Sequence, residues 1–484
     1  MPQTLQLDPD RLFPVDPATR DIARNLYRAV ADLPILSPHG HVDPALLLAD
    51  EAFTDAAELF IRFDHYVTRL LHAAGVRLTE LGIPARDSGT RNGTRDDASV
   101  TDRVASPREV WRTFCAHWHL YAGTASGYWL QHELSSLFAV DVQPSPETAD
   151  SLFDRIAEAL ATPAFRPRSL FAQFGIEVLA TTDDPMDDLA THAALAADPS
   201  FAGRVLPTFR PDAYVNPAAA GWTDNVQKLA EWNGSPASSY AGYLDALAGR
   251  RRHFIANGAV SADHGVLQPL TVDLGAGDAA ALFEKARAGG LDAAEQQVFA
   301  GHMLLQMARM SVDDGLVMTV HAGVVRNHST PTFDSFGPDT GHDLPTRTNY
   351  VDSLRPLLEK YGTRTDFHLV LFAVDETVYS REIAPLAGFY PSVYIGAPWW
   401  FLDAPDAVLR FRSAVTETAG FYRSSGFIDD TRAFLSIPAR HDMARRLDAS
   451  FLARYVREGR VDLASAERIA VDLVDAMPRK VFKL

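Results

Sequence analysis

One cysteine, Cys115, occurs among 484 residues. A single thiol builds neither a disulfide framework nor a thiolate metal site. Set in a helical run, Cys115 reads as a small buried hydrophobe rather than a nucleophile. No uninterrupted apolar stretch is long enough to cross a bilayer, and the opening Met-Pro-Gln-Thr-Leu-Gln-Leu-Asp lacks a basic-then-apolar leader. The expectation is a cytoplasmic protein with no membrane partner. Positive charge is short as well: 45 Lys and Arg against 62 Asp and Glu give a net charge of -17. Nucleic acid must be met by a basic surface that releases its counterions, so this balance argues against it as a partner. A small anionic substrate stays open, because it meets a few local arginines rather than the whole surface.

What is present is organised around residues 36–43, Leu-Ser-Pro-His-Gly-His-Val-Asp. His39 and His41 follow an apolar run, and if that run is a strand both imidazoles point to one side. That is half a metal site. Ahead of it, Asp16-Pro17 caps a helix with Ile22, Leu26 and Val30 four apart.

From about 46 to 165 the pattern is helical and irregular. It contains a polar, Gly-rich loop at 86–99, then Ser106 and Glu109 at capping-box spacing. We expect an insertion after the first strand that covers the site, dividing the chain into 1–45, 46–165 and 166–484. Beyond it, strand candidates at 176–183, 205–210, 260–264, 316–321, 367–372, 393–396 and 426–432 alternate with helical runs. One such run opens on Asp292 with Glu295 three later, and another spans 239–257 before Gly258.

Counting the strand before His39, there are eight. This predicts an α/β fold, a (β/α)8 barrel, although an open doubly wound sheet alternates in the same way. Polar residues tip the choice. His39, His41, Asp183, Asp184, Arg210, Asp263, His264, His321, Asp430 and Arg432 each end an apolar run, and side chains from many strands converge at one mouth of a barrel.

Two imidazoles and one carboxylate, with Asp430 on a last strand beside the first, compose a catalytic zinc or similar divalent site. The alternative is a histidine pair hydrogen-bonded in a loop. His117 and His119 share the spacing but sit in a helical run, where residues two apart point about 200° from one another. His321 reads equally as a ligand, a substrate contact or a core histidine. Arg432 shares a side with Asp430 if the strand persists, and binds substrate oxygens or pairs with Asp430. Trp399-Trp400 suits a pocket wall or plain packing.

Several motifs together resemble the uronate isomerase (glucuronate isomerase) family of the metal-dependent amidohydrolase superfamily. They are Ser-Pro-His-Gly-His-Val-Asp at 37–43, Asp-His-Tyr at 64–66 with Arg69, Ala-Thr-Thr-Asp-Asp-Pro at 180–185, Phe-Arg-Pro-Asp at 209–212 and Asp-His-Gly at 263–265. His-Ala-Gly with Arg326-Asn327, Asp375-Glu376-Thr377, Ala-Pro-Trp-Trp at 397–400 and Asp-Thr-Arg-Ala-Phe-Leu-Ser at 430–436 follow in order.

The resemblance implies a distorted (β/α)8 barrel and the conversion of D-glucuronate to D-fructuronate and of D-galacturonate to D-tagaturonate. His39, His41 and Asp430 would hold one divalent metal, zinc or else manganese, which would take the substrate carboxylate and neighbouring hydroxyl. Asp430, with the substrate's C5 hydroxyl, would be the base; Tyr66 would sit near the C1 carbonyl and Arg432 near the C2 and C3 oxygens. His65, Arg69, Arg210, His321, Trp399 and Trp400 would contact the uronic acid, and the protein would be a homo-oligomer. Binuclear hydrolytic relatives carry a lysine on strand four and a histidine ending strand six. Here 260–264 has no lysine and His368 precedes its run, so a second metal has no evident ligands. The alternative function is a hydrolase of the same superfamily acting on a sugar-acid lactone or amide.

Overall fold

A computed structural model of the chain describes residues 3–86, 103–233 and 239–484. Its strands are β1 Ile35–Ser37, β2 Ile176–Ala180, β3 Arg204–Leu206, β4 Thr208–Phe209, β5 Ser261–Val266, β6 Val317–Ala322, β7 Val324–Val325, β8 Leu344–Pro345, β9 Leu369–Ala373 and β10 Val393–Ile395. Two sheets are parallel throughout, one in the order β1-β2-β3 and the other β10-β9-β6-β5-β4; β7 and β8 make a small antiparallel pair. Only Pro207 separates β3 from β4, and proline has no N–H to give a ladder. A parallel bridge from Asp183 to Phe209 carries the pairing across that break. Every residue of β9 is buried, the continuous apolar run that a parallel strand covered on both faces requires.

The eighth expected strand, 426–432, does not form. Its neighbourhood keeps only one bridge, Ile395 to Ser424. Gly426 and Asp430 take φ of +80° and +41°, a left-handed geometry that no extended ladder tolerates. The segment still runs beside the end of β1, where the His41 N–H donates to the Thr431 carbonyl at 3.0 Å. Strand alternation therefore does not place Arg432 on the side of Asp430.

Helix ends follow the local chemistry. Asp16 accepts from the Thr19 N–H at the start of Pro17–Val30, and Ser106 and Glu109 form the capping box of Pro107–Ala116. Asp292 and Glu295 cap Ala293–Asp314, which stops at Gly315 in the left-handed region. The His117/His119 expectation needs correction. The α-helix ends at Ala116 and a 3-10 turn follows, so the rings lie stacked with centroids 6.3 Å apart instead of diverging. Among the described residues neither joins a group able to hold a metal.

Apolar side chains between Leu47 and Leu160 share one core cluster with Ile35 of β1, Ile176 and Leu179 of β2 and Phe434. Residues 87–99 of the polar loop lie outside the described residues. Among those described, no helix is long and apolar enough to cross a membrane.

Candidate active site

The chain leaves β1 at Ser37 and presents His39 and His41 before Asp43 caps the short helix Pro44–Ala49. Asp430 arrives from the opposite end of the sequence. Its Oδ1 lies 3.5 Å from His39 Nε2 and 3.0 Å from His41 Nε2. That oxygen is buried and has no hydrogen-bond partner. Buried polar atoms are almost always satisfied, so three donors converging on an unsatisfied focus fit a cation. Burial alone would raise the Asp430 carboxyl, but the two imidazoles outweigh it and hold it well below the usual carboxylate range. Burial also opposes protonation of both histidines. At His39 the carboxylates of Asp263 and Asp430 prevail and raise it; at His41 burial prevails and lowers it.

The helix Ile437–Arg457 braces this turn from behind. His441 Nε2 lies 3.0 Å from Asp429 Oδ2. Arg440 donates to Asp403 at 2.9 Å and to Ser436 Oγ at 3.1 Å, with its guanidinium 3.6 Å from the Trp129 ring centroid.

A cavity of about 360 Å³ opens over the site, lined by His41, Asp430, Arg432, His65, Tyr66, Arg210, Trp399 and Trp400 among others. Tyr66 is supplied by the helix His65–Ala73, which Asp64 caps by accepting the Tyr66 N–H. Burial pushes the Tyr66 phenol well above its ordinary range, so it faces the cavity as a hydroxyl. Trp399 and Trp400 stack with ring planes 4° apart. Arg432 pairs with Asp339 at 3.2 Å rather than with Asp430.

Two expected contacts sit elsewhere. Arg69 lies over the Phe401 ring, 4.4 Å from its centroid, and lines a smaller cavity that it shares with His65, Tyr66 and Trp400. His321 is buried outside the cavity lining, stacked between His39 and Phe372. There it corrects the expectation about a second metal. His39, Asp263 and His321 form a second group whose ligand atoms lie within 4.8 Å of one another. The signal in the sequence was that Asp263 and His321 each end an apolar run; the parallel pairing of β5 and β6 brings the two together.

Sequence reasoning also missed Arg326, Asp339, Asp343 and Arg440 on the cavity wall. Arg326 belonged to a matching motif but received no role; Arg440 had no signal, being one arginine in a mixed helical run. Next to the first cavity and sharing His41 and Arg432, a second of about 400 Å³ is lined by Asp43, Asp183, Asp184 and Asp187. Burial raises Asp183 to about 6 there.

Parallel strand ends that present His39, His41 and Arg210, together with the turn that brings Asp430 and Arg432 beside them, define the class: an α/β protein with a candidate divalent-metal site. The family follows from comparison. The glucuronate isomerase family model matches residues 17–482, and the chain belongs to that family. It is 51% identical over 477 residues to the uronate isomerase of Corynebacterium efficiens, covering 98% of each chain. It is 50% identical over 487 residues to that of Sphingopyxis alaskensis, covering 100% of each. The crystal structure of glucuronate isomerase from Caulobacter crescentus superposes with a TM-score of 0.94 at 46% identity, over 99% of this chain and 98% of that one.

Proposed function

We propose that the chain interconverts aldose and ketose uronates, D-glucuronate with D-fructuronate and D-galacturonate with D-tagaturonate, at the His39, His41 and Asp430 site. The observation that carries this is the unsatisfied Asp430 Oδ1 between two imidazoles on the wall of an arginine-lined cavity. Membership of the glucuronate isomerase family supplies the substrate class.

A divalent ion held by those three side chains, zinc by its preference for this nitrogen and oxygen set, or manganese, would polarise the substrate oxygens that reach it. The chain's own residues carry the rest. In the aldose-to-ketose direction the proton on C2 leaves to the Asp430 carboxylate, its electron pair forms a C1–C2 double bond and the C1 carbonyl pair moves onto O1, giving an enediolate. The proton then returns at C1, while the hydroxyl proton shifts from O2 to O1. Tyr66 donates to the oxygen at C1, and Arg432 to those at C2 and C3, as negative charge builds. Arg210, His65, Arg69, His321, Trp399 and Trp400 orient the sugar acid, those lining the cavity directly and Arg69 and His321 from behind its wall.

The finer architecture we take to be a distorted (β/α)8 barrel, supported by the two parallel sheets β1-β2-β3 and β10-β9-β6-β5-β4, by the Asp183 to Phe209 bridge between them and by the His41 to Thr431 hydrogen bond that brings the ends together. Residues 46–165 are the cover, supported by Phe63, Asp64, His65 and Tyr66 on the cavity wall; 1–45 and 166–484 complete the barrel and its terminal helices. A homo-oligomer in the cytoplasm completes the reading. The compartment is supported by composition alone, one cysteine in 484 residues, as in proteins of reducing compartments.

The test is direct. Purified protein with added zinc or manganese converts both uronates to keto-sugars; if both stay unchanged, the substrate assignment is wrong. A hydrolase would instead consume water on a lactone or amide.

A further inference from the structure

Asp263, on β5, is fully buried and its two oxygens have different company. Oδ1 accepts from Thr319 Oγ1 at 2.7 Å and lies 2.6 Å from His321 Nδ1. Oδ2 has no hydrogen-bond partner, and the charge facing it is Arg210 Nη1 at 3.5 Å. The Nε2 atom of His321 and Nδ1 of His39 are likewise buried without partners. His39, Asp263 and His321 each offer a ligand atom within 4.8 Å of the others, the spacing of a metal site, and His39 is common to this group and to the His39, His41, Asp430 group.

Arg210 is not free to leave. Its Nε donates to Asp212 Oδ2 at 2.9 Å, and Asp212 is in turn held by the Gly265 N–H at 3.0 and 3.1 Å. A Cβ at residue 265 would stand 2.7 Å from Arg210 Nη2 and 2.8 Å from Asp212 Oδ2, so glycine makes the space for the clamped pair. The charges then balance. Asp430, Asp263 and Asp212 offset one guanidinium and one divalent ion. A second divalent ion would add two uncompensated positive charges beside that guanidinium in a buried site, which is costly.

We propose that Arg210 is a tethered cation standing in for a second divalent ion, and that His39, Asp263 and His321 form a latent metal site which Arg210 keeps closed. This rests on the metal reading of the His39, His41, Asp430 group.

The experiment is metal stoichiometry. Wild type, Arg210→Met, Arg210→Gln and Arg210→Lys are incubated with Zn²⁺, desalted and analysed for metal per chain, with Mn²⁺-loaded samples examined by paramagnetic resonance. The expected result is one ion in wild type and Arg210→Lys, and two in the neutral variants, which also show a coupled manganese pair. Adding Asp263→Asn to Arg210→Met should return the count to one. One ion in the folded neutral variants, or two in Arg210→Lys, overturns the proposal. Titration of metal-free wild type needs no variant, and saturation at two ions overturns it equally. A wild type that binds none is a different outcome: it removes the metal reading itself, and this inference with it.

Discussion

The indole N–H of Trp400 lies 2.8 Å from Nε2 of His65 and donates to it. Indole only donates, so His65 Nε2 must accept and its proton must sit on Nδ1. Burial also lowers the His65 pKa against Asp64, Asp339 and Asp343, which raise it, while Arg432 lowers it further. Trp400 holds this contact with φ at +55°, a rare backbone geometry for a bulky side chain. Replacing Trp400 with Phe removes the donor. In nitrogen-15 spectra of labelled histidine, wild-type His65 should show a single Nδ1–H tautomer and Trp400→Phe a mixture. An unchanged spectrum contradicts the assignment.

Tyr66→Phe keeps the ring that the Arg440 guanidinium faces at 5.4 Å and deletes only the hydroxyl. Metal content should be unchanged while kcat falls by about 100- to 10,000-fold, the usual worth of a positioned proton donor. Parallel loss of metal and activity would mean that Tyr66 supports the ligands instead.

Glu133 gives a pH dependence away from the catalytic groups. Burial raises its carboxyl from 4.5 to about 8, with Asp64 adding to the rise and Arg440 opposing it. Between those values the folded chain keeps a proton that the unfolded chain releases, so stability falls as pH climbs from 4.5 to about 8. Glu133→Gln removes the penalty. Denaturant midpoints should favour the variant at pH 9, by roughly 3–5 kcal/mol at most, with the gap closing toward pH 5. A gap independent of pH refutes the shift.

Asp442 ties the N-terminal segment to the helix Ile437–Arg457. It accepts from Arg11 at 2.7 Å, Tyr128 at 2.8 Å and Arg446 at 2.9 Å, and from Tyr27. Burial would raise it, but His132, Arg11 and Arg446 prevail and hold it far below the usual range. Asp442→Asn leaves two arginines short of their counter-charge. Urea unfolding should show a loss of about 3–5 kcal/mol, the cost of breaking a buried pair. A loss below about 0.5 kcal/mol, the scale of a surface change, would show the cluster to be dispensable.

Local chemistry made much of this legible in advance. Asp16 and Asp292 cap helices because their side chains accept N–H groups one turn on, and Glu109 reaches back to accept the Ser106 N–H, information held within four residues. The His39 and His41 pair was visible because it ends an apolar run. Asp430 was found only as a partner to that pair, and its segment was misread as a strand because Gly426 and Asp430 carry φ values that hydrophobic pattern does not encode. The Asp263 and Arg210 pairing spans β5 and the end of β4, and Arg440 reaches the cavity from a helix whose pattern is ordinary. Contacts of that kind depend on strand register and helix placement, which no short window of sequence contains.

The proposed chemistry depends on His39, His41 and Asp430 holding a single cation. Anomalous diffraction at the zinc edge, on crystals grown with zinc, tests it most directly. The expected result is one strong peak about 2.0–2.2 Å from Nε2 of both histidines and from Asp430 Oδ1. No peak at that focus, or a peak bound by other side chains, would contradict it.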